Sequence, residues 1–330
     1  MQDIDFLCGN TTSRFPMFAL QASAMNLLRA SISGCSHSGG GSIIQAVTRS
    51  IINIQQSVFQ NIRSGGIGGA FSVTGSNITL WNSTLIKISS DIGGGAVSAF
   101  AGSNVTIVST KFRQVSTPGQ GGVFSTQGSR MYIMYCTFED YSSGGSGYFA
   151  FTSAGSVTDI DSAKLSCGTK APGPIFVIQS SNLSIFNSTL SDCSSVTDGT
   201  IILASENSVI RLNMIDFRNI RSSGSGGCIS MTSSAVSITD SFFDNVSCTG
   251  GGSIIWAISN SLVVLNSIQQ TCDSRIISTS SFKVQGTIIE MFNSSFFGCT
   301  SSTDGSIVQS YDNAIVNVSK STFSSLSSLG

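Results

Sequence analysis

Apolar side chains return along this chain at a nearly fixed distance. Starting from Phe59, the positions Phe6, Ile32, Phe59, Leu85, Phe112, Phe138, Leu165, Leu190, Phe217, Phe243, Gln269, Phe296 and Phe323 follow one another at 25 to 27 residues. Two further columns keep the same step. Five residues before each of these anchors stand Met1, Leu27, Ile54, Leu80, Ile107, Ile133, Ile160, Ile185, Leu212, Ile238, Val264, Met291 and Val318, every one apolar. Seven before stand Met25, Ile52, Ile78, Val105, Met131, Thr158, Leu183, Ile210, Val236, Leu262, Ile289 and Val316, with Thr158 the exception. Gln269 breaks the anchor column, and its neighbour Ile268 is expected to supply the apolar group through a local bulge.

Apolar residues two apart with polar ones between mark a strand with one buried face. NITL (77–80), NVTI (104–107), NLSI (182–185) and VSIT (236–239) have this form. A second strand runs from the anchor to the small or apolar position three residues on, as in Phe59 to Ile62. A third opens on GGAF (68–71), GGAV (94–97), GGVF (121–124), GGCI (226–229), GGSI (251–254), DGTI (198–201) or DGSI (304–307). Glycine suits such a corner because it takes positive φ and lets backbones approach closely. Three short strands per turn, no helical stretch and in-register columns predict an all-β, right-handed, single-stranded parallel β-helix. It has about twelve turns stacked at roughly 4.8 Å, a rod of about 58 Å. A propeller blade is nearer 40 residues, and a sandwich does not repeat its sequence at one period. Between Cys272 and Ile289 the stretch DSRIISTSSFKVQG replaces the glycine corner. Asn61 fits none of these roles: it is either a corner residue or a solvated one.

Composition narrows the function. Charged residues make up 10% of the chain, with 16 Lys+Arg against 17 Asp+Glu, where ordinary domains carry about 25%. The surface is therefore expected to be Ser, Thr and Asn. Nothing supplies an electrostatic footprint for nucleic acid, and no apolar run reaches the roughly 18 residues that span a bilayer. MQDIDFLCGN lacks the basic start and apolar run of a signal peptide. Met1 already falls in a core column and Gly330 lies seven residues past Phe323. An uncapped solenoid would expose its edge strands. The reading is one β-helix domain over 1–330, a segment of a longer solenoid, as a monomeric rod or part of a larger chain.

GGAF, GGAV, GGSI and GGCI, alternating with FQN (59–61), FRN (217–219) and FDN (243–245), resemble the repeats of chlamydial polymorphic outer-membrane proteins and of large surface proteins of protists. That family writes F-x-x-N where this chain writes F-x-N. The resemblance implies a secreted, surface-displayed β-helix used for adhesion or display, in an extracellular or cell-surface location. It supplies no catalytic residues.

Sequons occur at Asn10, Asn77, Asn82, Asn104, Asn182, Asn187, Asn245, Asn293 and Asn317. They are expected glycosylation positions if the chain follows a eukaryotic secretory route, although a chain this rich in Asn, Ser and Thr generates such triplets through its own repeat. The 9 cysteines have two readings. Cys35, Cys193, Cys272 and Cys299 sit three after an anchor, where other turns place Ile or Val, and a buried free thiol serves there as a small apolar group. Alternatively, Cys8 with Cys35 and Cys167 with Cys193 repeat one offset, from two after one anchor to three after the next. Stacked turns hold Cα atoms about 5 Å apart, within reach of a disulfide. The single histidine, His37, has no partner for zinc, so no metal or other cofactor is expected.

Arg113 beside Glu139 and Arg218 beside Asp244 read as structural pairs on stacked strands. The densest acidic segment is TDID (158–161), where Asp159 and Asp161 project outward near Lys164, with Arg130 and Tyr132 on the same face of the preceding turn. If the chain were an enzyme, Asp159, Asp161 and Lys164 would be its catalytic groups, since polysaccharide lyases and hydrolases such as pectate lyases and polygalacturonases are β-helices that gather carboxylates on one face. The neighbouring positions Ser184 and Phe186 add no acid, and short loops build no groove. Thr79 and Thr106 begin an ice-binding type of ladder that Tyr132, Asp159, Ser184 and Arg211 interrupt. The balance favours a non-enzymatic stalk or adhesion platform meeting carbohydrate or a protein surface through Trp81, Tyr132 and Phe186. The alternative is a polysaccharide lyase or glycoside hydrolase.

Overall fold

In the computed structural model, residues 4–9, 12–167, 173–272, 279–301 and 307–328 are described. Met1, Asn10, residues 304–306 of DGSI and residues 273–278 of the irregular stretch after Cys272 lie outside them. The chain divides into two compact units, Met1–Lys164 and Leu165–Gly330. Each is a parallel β-solenoid of about six turns, and each turn contributes one strand to each of three sheets.

A turn of the first unit shows how the columns work. Phe71–Thr74 follows the glycine corner, Asn77–Trp81 carries the aliphatic columns, and Thr84–Ser90 carries the anchor. Each strand pairs in register with the equivalent strand one turn on: Leu80 with Ile107, Leu85 with Phe112, Val97 with Phe124. Alternate residues point inward, so Ile78, Leu80, Leu85 and Ile88 are all buried. Like residues then stack on like. Phe112 lies over Phe138 with ring centroids 5.0 Å apart. In the second unit Phe217 lies over Phe243 at 4.6 Å.

Asn61 has φ 54°. So do its equivalents two after the anchor, Lys87, Gln114, Asp140, Asp192, Asn219 and Asn245, at 53–57°. This left-handed residue is an extra one within the strand. It explains why the anchor and the residue three after it, rather than two, both face the core. The amides of the second unit form a ladder here: Asn219 Nδ2 donates to Asp192 Oδ1 at 2.9 Å and Asn245 Nδ2 to Asn219 Oδ1 at 2.8 Å.

The register corrects the sequence reading around Gln269. Phe243 pairs with Gln270, and Gln270 with Phe296, so Gln270 is the anchor and Gln269 is exposed. The inward aliphatic residues of that turn are accordingly Val263 and Leu265, not Leu262 and Val264. Ile268 is buried, but at the corner position occupied by Ser241 and Ser294 in the adjoining turns. A single-residue slip turns every side chain to the other face, and an anchor column read by apolar character alone passes over a buried glutamine.

Serine is also less of a surface residue than composition implies. Nine before the anchor stands a hydroxyl column, Ser23, Ser50, Ser76, Ser103, Ser129, Ser156, Ser181, Ser208, Ser234, Ser261 and Thr287, which ends at Ala314 before Phe323. Past Ser23 its members are buried. At this corner the strand ladder is interrupted and a backbone N–H needs another acceptor. The hydroxyl of the following turn supplies it: Ser50 N–H to Ser76 Oγ at 3.1 Å, Ser129 N–H to Ser156 Oγ at 3.2 Å, Ser181 N–H to Ser208 Oγ at 3.3 Å. Each hydroxyl donates in turn to a nearby carbonyl, as Ser76 does to Thr74 O at 3.0 Å. Thr158 is accommodated similarly, its hydroxyl 3.4 Å from that of Thr152, which accepts from Thr126 at 3.2 Å.

Candidate functional site

The outward face of the aliphatic sheet in the first unit collects most of the side chains singled out for chemistry. Strands Asn77–Trp81, Asn104–Val108, Arg130–Met134 and Val157–Asp161 lie side by side in register. Their outward residues form three columns: Asn77, Asn104, Arg130, Val157; then Thr79, Thr106, Tyr132, Asp159; then Trp81, Val108, Met134, Asp161. Trp81 is 43% exposed and Tyr132 38%. Asn104 Nδ2 donates to Asn77 Oδ1 at 2.9 Å, and the Tyr132 hydroxyl rests 3.7 Å from Met134 Sδ. The face is an amide and hydroxyl array with two aromatic plates, flat because strand spacing fixes it.

Asp159 and Asp161 are both on this face and both half-buried. Asp161 Oδ1 accepts from the Ser162 hydroxyl at 2.9 Å. Lys164 is not with them. Ser162, at φ 51°, turns the chain, and Lys164 opens the strand Lys164–Ser166 in the anchor sheet. The triad of Asp159, Asp161 and Lys164 is thus divided across a corner, and the cation on the carboxylates' own face is Arg130. Corner connections of two residues, such as Asn82 and Ser83 between strands, raise no wall beside the face. The cavity at its edge, lined by Ser103, Asn104, Ser129 and Arg130, measures about 140 Å³, below the roughly 300 Å³ at which ligand pockets begin.

A wider cleft of about 530 Å³ lies elsewhere in the first unit, lined by Thr12, Ser36, His37, Ser38, Arg63, Gly65 and Asp91. Its charges are already matched, with Arg63 and Asp91 3.3 Å apart. His37 is buried, its Nε2 3.1 Å from the Arg14 carbonyl and its Nδ1 without a partner among the described residues. Among the described residues no group of three His, Cys, Asp or Glu could hold a metal ion.

The surface ion pairs differ from those expected. Glu139 pairs with Lys111 at 3.0 Å and Arg113 with Asp140 at 4.0 Å, while Arg218 takes Asp216 on its own strand, Nε to Oδ1 at 2.8 Å. The Asp216 hydrogen bond, its charge and, last, the charge of Asp244 raise the Arg218 pKa. Long side chains reach diagonally past the residue directly opposite, so register alone does not name the partner.

Cys8–Cys35, Cys167–Cys193 and Cys272–Cys299 are disulfides with Cα atoms 4.9 Å apart. With Gln270 as anchor, Cys272 stands two after it, so all three bridges share one offset. The mistaken anchor hid the third bridge, although its 27-residue spacing equals that of the first. Cys136, Cys228 and Cys248 are buried and form no disulfide. Burial pushes the Cys136 thiol up to about 11 and Cys228 well above its ordinary value.

Asn77, Asn82, Asn104, Asn187, Asn293 and Asn317 are exposed, while Asn182 and Asn245 are half-buried. Asn10 lies outside the described residues. Among the described residues, no helix is long and apolar enough to cross a membrane.

The sequence matches no protein-family model and no curated protein. Among solved structures, the chain is similar to the Azotobacter vinelandii mannuronan C-5 epimerase AlgE6 A-module at 12% identity. The match covers 92% of this chain and 84% of that one, with a TM-score of 0.27. At that score the likeness carries no argument about what this chain does.

Proposed function

We propose that the chain is a secreted or cell-surface β-solenoid that serves as a stalk and meets carbohydrate across the flat face of its first unit, without catalysing a reaction. The observation that carries this reading is the face itself. Trp81 and Tyr132 supply apolar plates of the kind that pack on sugar rings, and Asn77, Thr79, Asn104 and Thr106 supply donors and acceptors around them. No wall excludes water from it, and Lys164 stands around the corner from Asp159 and Asp161. Bridges between consecutive turns support an oxidising compartment, since such bonds persist in secreted proteins and are rare in reducing ones. The resemblance of the GG-x-I and F-x-N segments to surface-protein repeats supports the same location.

The test is retention of the native-source chain on immobilised neutral and acidic polysaccharides, with chromatography of the products. Retention that falls in Trp81→Ala and Tyr132→Ala, no product, and unchanged behaviour of Asp159→Asn and Asp161→Asn are expected. New chain ends or unsaturated sugars that disappear in Asp161→Asn would replace this reading with a polysaccharide lyase or hydrolase.

A further inference from the structure

Twelve corners of the solenoid share one backbone conformation. The residue three before each anchor, from Arg29 through Gln56, Asn82, Ser109, Tyr135, Ser162, Asn187, Met214, Asp240, Ser267 and Asn293 to Lys320, has φ between 44° and 55°. This corner turns the chain from the aliphatic sheet to the anchor sheet. Its backbone N–H is bonded to the following turn, as in Asn82 to Val108 O at 3.0 Å, Asn187 to Asn213 O at 3.0 Å and Asn293 to Ser319 O at 3.2 Å. With the backbone held, the side chains of Asn82, Asn187 and Asn293 are exposed.

Asparagine tolerates left-handed φ, so its presence at such a corner does not by itself require a modification. The residue two positions on is the informative one. All three corner asparagines are followed there by a hydroxyl, Thr84, Thr189 and Ser295. The nine other corner residues have a hydroxyl at that position in three cases, Ser31, Thr137 and Thr322. The repeat alone therefore leaves the hydroxyl optional. At the left-handed position inside the anchor strand, by contrast, Asn61 and Asn219 are followed by Arg63 and Arg221, and Asn245 alone by a hydroxyl, Ser247.

Asn245 also differs in its surroundings. In a glycosylated asparagine the sugar C1 replaces the Nδ2 hydrogen on the same side as Oδ1, leaving one N–H. At Asn245 the Oδ1 is shut off from solvent with no hydrogen-bond partner among the described residues, and Nδ2 donates to Asn219 Oδ1 at 2.8 Å. A sugar beside that oxygen has no room unless the Asp192–Asn219–Asn245 ladder opens. Asn293 Nδ2 donates at 3.2 Å to the Ser267 hydroxyl on an exposed edge, which one remaining N–H satisfies.

We propose that Asn82, Asn187 and Asn293 carry N-linked glycans and that the sequon at Asn245 stays bare in the folded protein. This rests on the secretory reading above. It places the sugars on the corner between the aliphatic and anchor sheets and gives these asparagines a role separate from Trp81 and Tyr132. Asn77 and Asn104, bonded to each other, fall outside the proposal.

The experiment is site-resolved glycopeptide mass spectrometry on the folded protein from its native source, with the cysteines of the same sample mapped without reduction. Glycans at Asn82, Asn187 and Asn293 in most molecules, and none at Asn245, are expected. Oxidised cysteines with bare corners, or a glycan at Asn245, would overturn this assignment and leave the secretory reading standing. Bare corners with reduced cysteines would overturn both.

Discussion

A Cβ added to Gly95 would lie 2.0 Å from the Gly122 carbonyl oxygen and 2.9 Å from the Val115 side chain, and one added to Gly94 would lie 2.5 Å from the Val97 carbonyl oxygen. At the corner three before the anchor, where φ is just as left-handed, the chain places Arg29, Gln56, Tyr135, Met214 and Lys320. Both corners turn the strand through the same region of backbone space. What separates them is the neighbour: the glycine corner packs backbone on backbone from turn to turn, while the other faces solvent. Positive φ alone costs a non-glycine residue about 1–2 kcal/mol, a penalty the stacked ladders absorb. At Gly95 a Cβ is accommodated only if the backbone of the adjacent turn shifts away from it.

Breaking the packed corner is expected to have the largest effect. Gly95→Ala forces backbone apart in adjacent turns and should cost at least about 3 kcal/mol, read as a lowered denaturant midpoint or as loss of soluble folded protein. The corner two before the anchor, where a hydroxyl plays the same part, comes next. Ser83 Oγ accepts from Ser57 N–H at 3.2 Å and donates to Trp81 O at 3.0 Å. Ser83→Ala strands a buried N–H and should cost about 1–3 kcal/mol by the same measurement. Gln270→Met works in the opposite direction. Among the described residues the buried Gln270 Oε1 has no partner, and its Nε2 lies 3.1 Å from Cys272 Sγ. A straight apolar chain between Phe243 and Phe296 should gain about 1 kcal/mol. The smallest change is expected at an open left-handed position: Lys87→Gly should gain about 0.5 kcal/mol, the relief of positive φ less glycine's greater unfolded entropy. A loss there larger than that of Ser83→Ala would show that the exposed left-handed residues do more than turn the chain.

This contrast also explains what could be read from the sequence. Gly94 and its equivalents Gly68, Gly121, Gly147, Gly199, Gly226 and Gly252 leave a motif because left-handed φ and a close carbonyl oxygen favour glycine there, whereas the position of Gly95 also takes Tyr148, Thr200 and Ser253. The inward columns leave a period because nearly all their members are apolar, Thr158 and Gln270 aside. Twelve corner residues of left-handed backbone leave no motif, since almost any side chain is accepted in solvent, and the separate left-handed column two after the anchor, to which Asn61 belongs, is equally varied and so ambiguous in sequence. The buried serine column is regular in the sequence, yet serine is also what covers the surface, so burial could not be inferred from type. Gln270 was missed because one polar residue entered the core and shifted the apparent anchor by one. On the candidate face, Asp159, Asp161, Tyr132 and Trp81 were legible through strand alternation. The separation of Lys164 from them depended on Ser162 turning the chain, which its identity does not announce. Ion-pair partners such as Lys111 with Glu139 depend on side-chain reach and were beyond a reading of columns.

The most direct test of the stacked register is disulfide mapping of the folded protein from its native source. Proteolysis without reduction should yield Cys8–Cys35, Cys167–Cys193 and Cys272–Cys299, each closing a loop that removes about 3.5 kcal/mol of unfolded-state entropy. Cys136, Cys228 and Cys248 should react with an alkylating agent only after denaturation, because all three are buried away from the reagent, and burial also raises the thiol pKa of Cys136 and Cys228. Those three pairs would place Cys272 two after a Gln270 anchor and support an oxidising compartment. Any other pairing would contradict the turn-to-turn register, and six reduced cysteines would contradict the proposed location.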